Sequence, residues 1–305
     1  MTGRLSRPHL ARQRPLVYSE ATKKNQPNPI TEYRMKTLHD KVVALTGASS
    51  GIGRCLAQQL AARGCRLALA DVNEAGLSET VASLPPGTQV TIHLVDVAKK
   101  EQVYQWAEDV VAAHGGVDVV INNAGVASQG MIEDLDYDDF NWVFDIVFYG
   151  VLYGTKAFLP YLRQRPEGHV VNISSVNGFF PFPSNGPYNC AKHAVKALNQ
   201  TLIQELRGTN IHITSVHPGG IKTNIVRNSR IVKPLSPKLS KEQAAARFEK
   251  IAGTTAEKAA SIIISGILNN KQRLLVGKDA YLLDALTRVF PQGFSNLVGR
   301  VMLRE

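Results

Sequence analysis

One buried strand running straight into a glycine turn constrains this chain more than any other feature. Val42–Thr46 is apolar almost throughout. Thr46-Gly47-Ala48-Ser49-Ser50-Gly51-Ile52-Gly53 then leads into a helical pattern carrying Ala57, Leu60 and Ala61. Glycine lets the backbone turn tightly and approach a pyrophosphate, whose charge rests on the helix amino terminus. Such a turn is a weak signal alone and a stronger one between a strand and a helix. Gly47, Ser49, Ser50, Gly51, Ile52 and Gly53 are therefore candidate cofactor ligands. Asp71 ends the next apolar run. A carboxylate there accepts hydrogen bonds from the adenosine ribose hydroxyls and repels a 2′-phosphate, which favours NAD over NADP. Arg54 is a cation that could offset the repulsion. The alternative for Asp71 is a solvated turn residue.

Short apolar runs recur at Val42–Thr46, Arg66–Ala70, Gln89–Val95, Val117–Ile121, His169–Ser174, Ile211–Val216 and Arg273–Val276. They are nearly continuous rather than alternating, as in parallel strands buried on both faces. Helical patterns separate them at Gly53–Arg63, Glu101–Ala113, Asp138–Arg163, Ala191–Arg207 and Thr255–Leu268. The alternation predicts one doubly wound α/β domain over residues 38–280. Residues 222–253 interrupt the rhythm with a basic, proline-containing loop and a short helix, and no strand is expected there. An insertion past a strand's carboxyl end is where a substrate lid sits. Residues 281–305 read as an amphipathic helical extension. Phe294, Leu297, Val298, Val301 and Met302 share one face of it, which packs on the body or a partner subunit, or meets a membrane surface.

The net charge of +10 invites a nucleic-acid reading, and its distribution argues against one. Residues 1–34 hold seven basic side chains (Arg4, Arg7, Arg12, Arg14, Lys23, Lys24, Arg34) against Glu20 and Glu32. With four prolines and few large apolar residues, residues 1–37 are expected to be a disordered basic tail. A transit peptide, a basic surface-binding arm and a start at Met35 remain open alternatives. No apolar run reads as long enough to span a bilayer. Cys55, Cys65 and Cys190 have no metal-ligand spacing, so no metal is expected, and a reduced, cytoplasmic setting fits three thiols.

Tyr188 and Lys192, four residues apart, share one helical face. A free phenol titrates near ~10, and a neighbouring ammonium stabilises the phenolate and lowers that value. The same lysine can hold a nicotinamide ribose. Ser175 ends the preceding strand, where its hydroxyl could bind a substrate oxygen. His193 and His217 adjoin these residues without an acid partner and read as structural. Cys190 points from another helix face.

Five motifs in order give the pattern a family. Thr46–Gly53, Asn122-Asn123-Ala124-Gly125, Asn172-Ile173-Ser174-Ser175, Tyr188-Asn189-Cys190-Ala191-Lys192 and Pro218-Gly219 resemble the short-chain dehydrogenase/reductase family, over about residues 40–277. The resemblance implies a single-domain, Rossmann-type parallel sheet of about seven strands and a nicotinamide cofactor. By matching positions it makes Tyr188 the acid/base, Lys192 the ribose ligand and Ser175 the ligand of the substrate oxygen. It places Asn123, Ala124 and Gly125 beside the cofactor, Asp96 and Val97 at the adenine, and Pro218, Gly219, Ile221 and Thr223 on the nicotinamide side. It also implies a homodimer or homotetramer through the helices containing Asp138–Arg163 and Tyr188–Arg207.

One position departs from the family pattern. In Asp145-Ile146-Val147-Phe148-Tyr149-Gly150, Val147 replaces an asparagine that positions a proton-relay water, and valine has no polar atom to do so. Asn141, the nearest asparagine, lies off that face. The reading is an oxidoreductase interconverting a secondary alcohol and a ketone. Its substrate would be apolar if Phe179, Phe180, Phe182 and Pro183 line the pocket, though core packing explains them equally. The rival reading is an NAD-binding regulatory or scaffold protein whose catalysis is weakened at Val147.

Overall fold

Val43 and Leu45 face one side of the strand Val42–Thr46 (β1) while Val42 and Ala44 face the other, and all four are fully buried. Successive strand residues point to opposite faces, so a run apolar at every position fits a sheet covered on both sides. The computed structural model describes residue 35, residues 37–232 and residues 241–303. The expected tail therefore lies outside the described residues, apart from positions 35 and 37.

The remaining sheet strands are β2 (Arg66–Asp71), β3 (Val90–Leu94), β4 (Val119–Asn122), β5 (Gly168–Ile173), β6 (Ile211–Pro218) and β7 (Arg273–Val276). They pair in parallel in the order β7-β6-β5-β4-β1-β2-β3. The chain winds outward from β1 to β3, then returns to place β4 beside β1. That reversal opens a crevice at the carboxyl ends of β1 and β4, where doubly wound sheets bind ligands. Asp118 pins the opposite end: fully buried, it accepts the Val42 N–H at 2.9 Å and pairs with Arg165 at 2.9 Å.

One face carries α1 (Gly51–Ala61) and α8 (Ala256–Leu268), whose Leu56, Leu60, Ile263 and Ile267 pack with Val43, Leu45, Leu67 and Leu69. The other carries α3 (Lys100–His114), α5 (Gly150–Leu162) and α6 (Gly186–Glu205), and there Trp106 meets Phe158 edge-on at 4.8 Å. Helix α6 starts five residues before its expected boundary because Pro187, in the first turn, is pre-set for a helix start. A short helix α2 (Glu74–Ala82), capped by Asn73, was not expected from periodicity.

Three expectations are corrected. The pattern over Asp138–Arg163 is α4 (Tyr137–Phe144), a π-helical turn (Asp145–Tyr149) and α5, a 26-residue helical stretch with an 18-residue window of mean hydropathy 1.2. By length and composition it could cross a membrane, yet it buries Val143, Val147, Val151 and Phe158 in the protein. Within residues 222–253, Arg230–Ile231 pairs with Ser128–Gln129, and Ile221–Lys222 pairs with Thr254–Thr255, so the insertion is tied by short strands as well as by α7 (Lys241–Ile251). Residues 233–240 lie outside the described residues. The extension is two helices, α9 (Lys278–Val289) and α10 (Pro291–Met302), broken at Phe290-Pro291.

Trp106→Ala removes the largest fully buried side chain and its contact with Phe158. Urea unfolding is expected to show a loss of about 3–5 kcal/mol.

Candidate active site

The glycine turn brings α1 so close to β1 that side chains are excluded. Gly47 and Gly51 have φ of +66° and +53°, and a Cβ at Gly53 would lie 1.9 Å from the Gly47 carbonyl oxygen. Ser50 ends the turn without a side-chain cap, and no acidic residue stands in the first turn of α1. The free N–H groups and the positive end of the helix dipole therefore face the crevice, a donor set that fits a pyrophosphate. Asn123 shapes this turn: its Nδ2 donates to the Thr46 and Gly47 carbonyls at 3.0 and 3.2 Å. Thr46 Oγ1 accepts the Asn123 and Ala124 N–H groups. These two residues thus hold the turn.

Asp71 lies at the end of β2, half-buried, where Oδ2 accepts the Ser49 N–H and Oδ1 the Asn73 N–H, both at 3.0 Å. Arg54 is committed elsewhere. Its guanidinium donates to Ser49 O, Gly76 O and Thr80 Oγ1 and pairs with Glu79 at 2.8 Å.

The other expected cofactor residues ring the same crevice. Asp96 and Val97 follow β3, with Asp96 Oδ1 accepting the Ala98 N–H at 3.0 Å and Val97 packed against Gly150. Gly125 lies beside Lys192, a Cβ there being 3.9 Å from Nζ. Thr223 stands against Gly51. Pro218 ends β6, and Gly219 donates to the Val276 carbonyl at 2.9 Å. Ile221 is buried in the core, so only its backbone is open to a ligand. Asp279, unforeseen in the sequence, accepts the Gly220 N–H at 2.6 Å and so ties α9 to this loop.

Ser175, Tyr188 and Lys192 do come together. Ser175 follows β5 in extended backbone, its hydroxyl bonded to Asn177, and Tyr188 stands in the first turn of α6. Lys192, one turn on, is buried, with Nζ donating to the Ile173 carbonyl at 2.7 Å and lying 5.5 Å from the Tyr188 ring centre. Burial pushes the Tyr188 phenol up to about 12, against a smaller downward pull from Ser175, and pushes Lys192 down to about 7. Burial therefore outweighs the phenolate stabilisation expected from Lys192, because each charge has lost its water.

Val147 is fully buried in the π-helical turn, in an apolar cluster with Val143, Ala191 and Tyr188. Asn141 is exposed, as its position off that face implied. The aromatic residues after Ser175 serve mainly as packing. Phe180 is buried and meets Phe182 at 4.8 Å and Phe294 of α10 at 5.0 Å. Phe179 and Phe182 pack with Leu283 of α9. The extension thus docks on the loop that follows Ser175. Cys190 is exposed.

The sequence missed the polar support of Ser175. His217 Nδ1 lies 3.1 Å from the Ser175 carbonyl and its Nε2 3.0 Å from Ser215 Oγ. Asn199 donates to Ser215, Asn172 to Asn199 and Asn122 to Asn172 at 2.7–2.9 Å. The signal was present: Asn122, Asn172 and Ser215 are polar residues inside otherwise apolar strands, and buried polar groups need partners.

The family model for short chain dehydrogenases matches residues 41–233. A protein of Mycobacterium tuberculosis named as an oxidoreductase, SadH, is 38% identical over 269 residues, covering 87% of this chain and 96% of its own. The structure of a short chain dehydrogenase/reductase from Burkholderia phymatum in complex with NAD superposes with a TM-score of 0.76 at 31% identity, over 84% of this chain and 95% of that one. Levodione reductase superposes at 0.72 with 28% identity, over 81% and 99%. The seven-stranded parallel sheet, the glycine turn and these relatives agree: the chain belongs to the short-chain dehydrogenase/reductase family of oxidoreductases.

Proposed function

We propose that this oxidoreductase interconverts a secondary alcohol and a ketone with NAD, Tyr188 acting as acid/base. The observation that carries the reading is the gathering of Ser175, Tyr188 and buried Lys192 at the carboxyl edge of the sheet, with Lys192 Nζ 5.5 Å from the Tyr188 ring centre and bonded to the Ile173 carbonyl. A nicotinamide held at this edge would supply the hydride acceptor for the alcohol carbon, or the hydride donor for the ketone. The Tyr188 oxygen takes the alcohol's hydroxyl proton, or gives a proton to the ketone oxygen. Ser175 donates a hydrogen bond to that same oxygen. An ammonium has three donors, and the Ile173 carbonyl uses one, so Lys192 keeps two for ribose hydroxyls.

Asp71 favours NAD by repelling a 2′-phosphate, and the charge of Arg54 is partly neutralised by its pairing with Glu79. Free thiols support a reducing, cytoplasmic setting. Exposed Tyr149, stacked on Tyr153, lies on the helical stretch through which a homodimer or homotetramer would form. The second reading, a cofactor-binding protein with weakened catalysis, draws on the dry cluster around Val147.

NADH absorbance over a panel of secondary alcohols separates the two: turnover establishes the dehydrogenase, and NAD binding without turnover on any of them sinks it. Tyr188→Phe is expected to cut turnover by at least ~10²-fold, the scale of acid/base assistance, with NAD affinity nearly intact by calorimetry. Asp71→Ala is expected to shift the NAD-to-NADP affinity ratio about tenfold toward NADP, or ~1.4 kcal/mol. Fluorescence titration with both cofactors reads this directly. An unchanged ratio would remove Asp71 from cofactor selection.

A further inference from the structure

Two asparagines determine where the hydrogen of the Ser175 hydroxyl lies. The Asn189 amide sits on the Phe182 peptide: Phe182 N donates to Asn189 Oδ1 at 3.3 Å, and Asn189 Nδ2 donates to Phe182 O at 2.7 Å. Backbone groups cannot exchange those roles, so the Asn189 amide has one orientation. Its Oδ1 accepts, and the 2.7 Å contact with Asn177 must come from Asn177 Nδ2. Asn177 therefore turns its Oδ1 to Ser175 Oγ, 3.2 Å away. An amide oxygen has no hydrogen to give, so Ser175 is the donor. Ser175 Oγ also accepts the Asn177 N–H at 3.1 Å, so Asn177 engages both the hydrogen and one lone pair of the hydroxyl.

We propose that Asn177, clamped by Asn189, is a positioning residue that holds the Ser175 hydrogen away from the Tyr188 oxygen. The inference rests on the function proposed above. In the resting site, the Ser175 hydrogen lies on Asn177 Oδ1 and burial keeps Tyr188 a neutral phenol. When the phenol loses its proton, the Ser175 hydroxyl rotates about Cβ–Oγ and donates to the phenolate, leaving Asn177. A ketone or alcohol oxygen claims the same hydrogen when it binds. Only hydrogen bonds change in this exchange. Asn177 thereby favours the neutral phenol and helps set the pH at which the base forms.

Few charges compete for that control. Lys192 faces the phenol from its own helix, and the packed side chains Val143, Val147 and Ala191 bring none. Beyond Ser175, His217 contacts its carbonyl and is held neutral down to about 4 by burial. His193, on α6, lies 2.8 Å from the Asn189 carbonyl.

The test compares the native protein with Asn177→Ala and Asn177→Asp, following kcat/KM for alcohol oxidation against pH. Removing the acceptor frees the Ser175 hydrogen for the phenolate, so Asn177→Ala is expected to move the rising limb down by about half to one pH unit, one hydrogen bond's worth. Asn177→Asp, a stronger acceptor with a charge, is expected to move it up. Asn189→Ala, which unlocks the Asn177 amide, should shift the limb in the same direction as Asn177→Ala. Lower rates with an unmoved limb, or alanine and aspartate shifts in the same direction, overturn the proposal in favour of a purely structural role. If the native protein binds NAD without turning over any alcohol, the functional reading fails separately. The Tyr188 titration is then read from the tyrosinate absorbance difference between each protein and its Tyr188→Phe counterpart. The same opposed shifts support the clamp, and their absence rejects it.

Discussion

The closeness of α1 to the end of β1 sets the geometry of the whole crevice. With no Cβ at Gly53, the first turn of the helix drops onto the Gly47 carbonyl, and its unsatisfied N–H groups stand directly above the sheet edge. Thr46 and Asn123 then lock β4 to that turn through bonds between side chain and backbone. Because every sheet strand is parallel, β4, β5 and β6 end on the same edge. Asn122, Ser175 and Pro218 thus gather around one site although they come from distant parts of the chain. The fold concentrates polar termini here and leaves the sheet centre apolar.

Ser175 is held from both sides. A polar chain from Asn122 through Asn172, Asn199, Ser215 and His217 reaches its carbonyl, and the Asn189–Asn177 pair reaches its hydroxyl. Each bond in the chain has a fixed direction once the Ser175 carbonyl is recognised as an acceptor. His217 must carry its hydrogen on Nδ1, and burial keeps it neutral in that form. The bonds that link its members fix the serine's position, although Asn122 Oδ1 at the far end is buried without a partner.

The strands were legible because burial on both faces writes them as continuous apolar runs, and all seven were found within a residue or two of their ends. Tyr188 and Lys192 were legible because helical periodicity fixes which residues share a face. Periodicity does not reveal what lies opposite that face. The reach of Asn189 to Phe182, the folding of Arg54 onto the α2 turn, and the burial that moves Tyr188 and Lys192 against the expected electrostatic pull all depend on tertiary packing. The aromatic segment after Ser175 shows the same limit. Its hydrophobicity was plain, and only the docked helices α9 and α10 decide between pocket and core.

That docking joins two regions that the sequence keeps more than a hundred residues apart. Phe180 lies between the serine loop on one side and Phe294 on the other, so the loop cannot lose its packing without loosening α10. Segments that share their main apolar contacts open and close together as one cooperative unit. The order of the substrate side of the crevice is therefore not a local property of the loop. It is inherited from the chain's last two helices, which makes the periphery of this fold a determinant of how sharply its centre is defined.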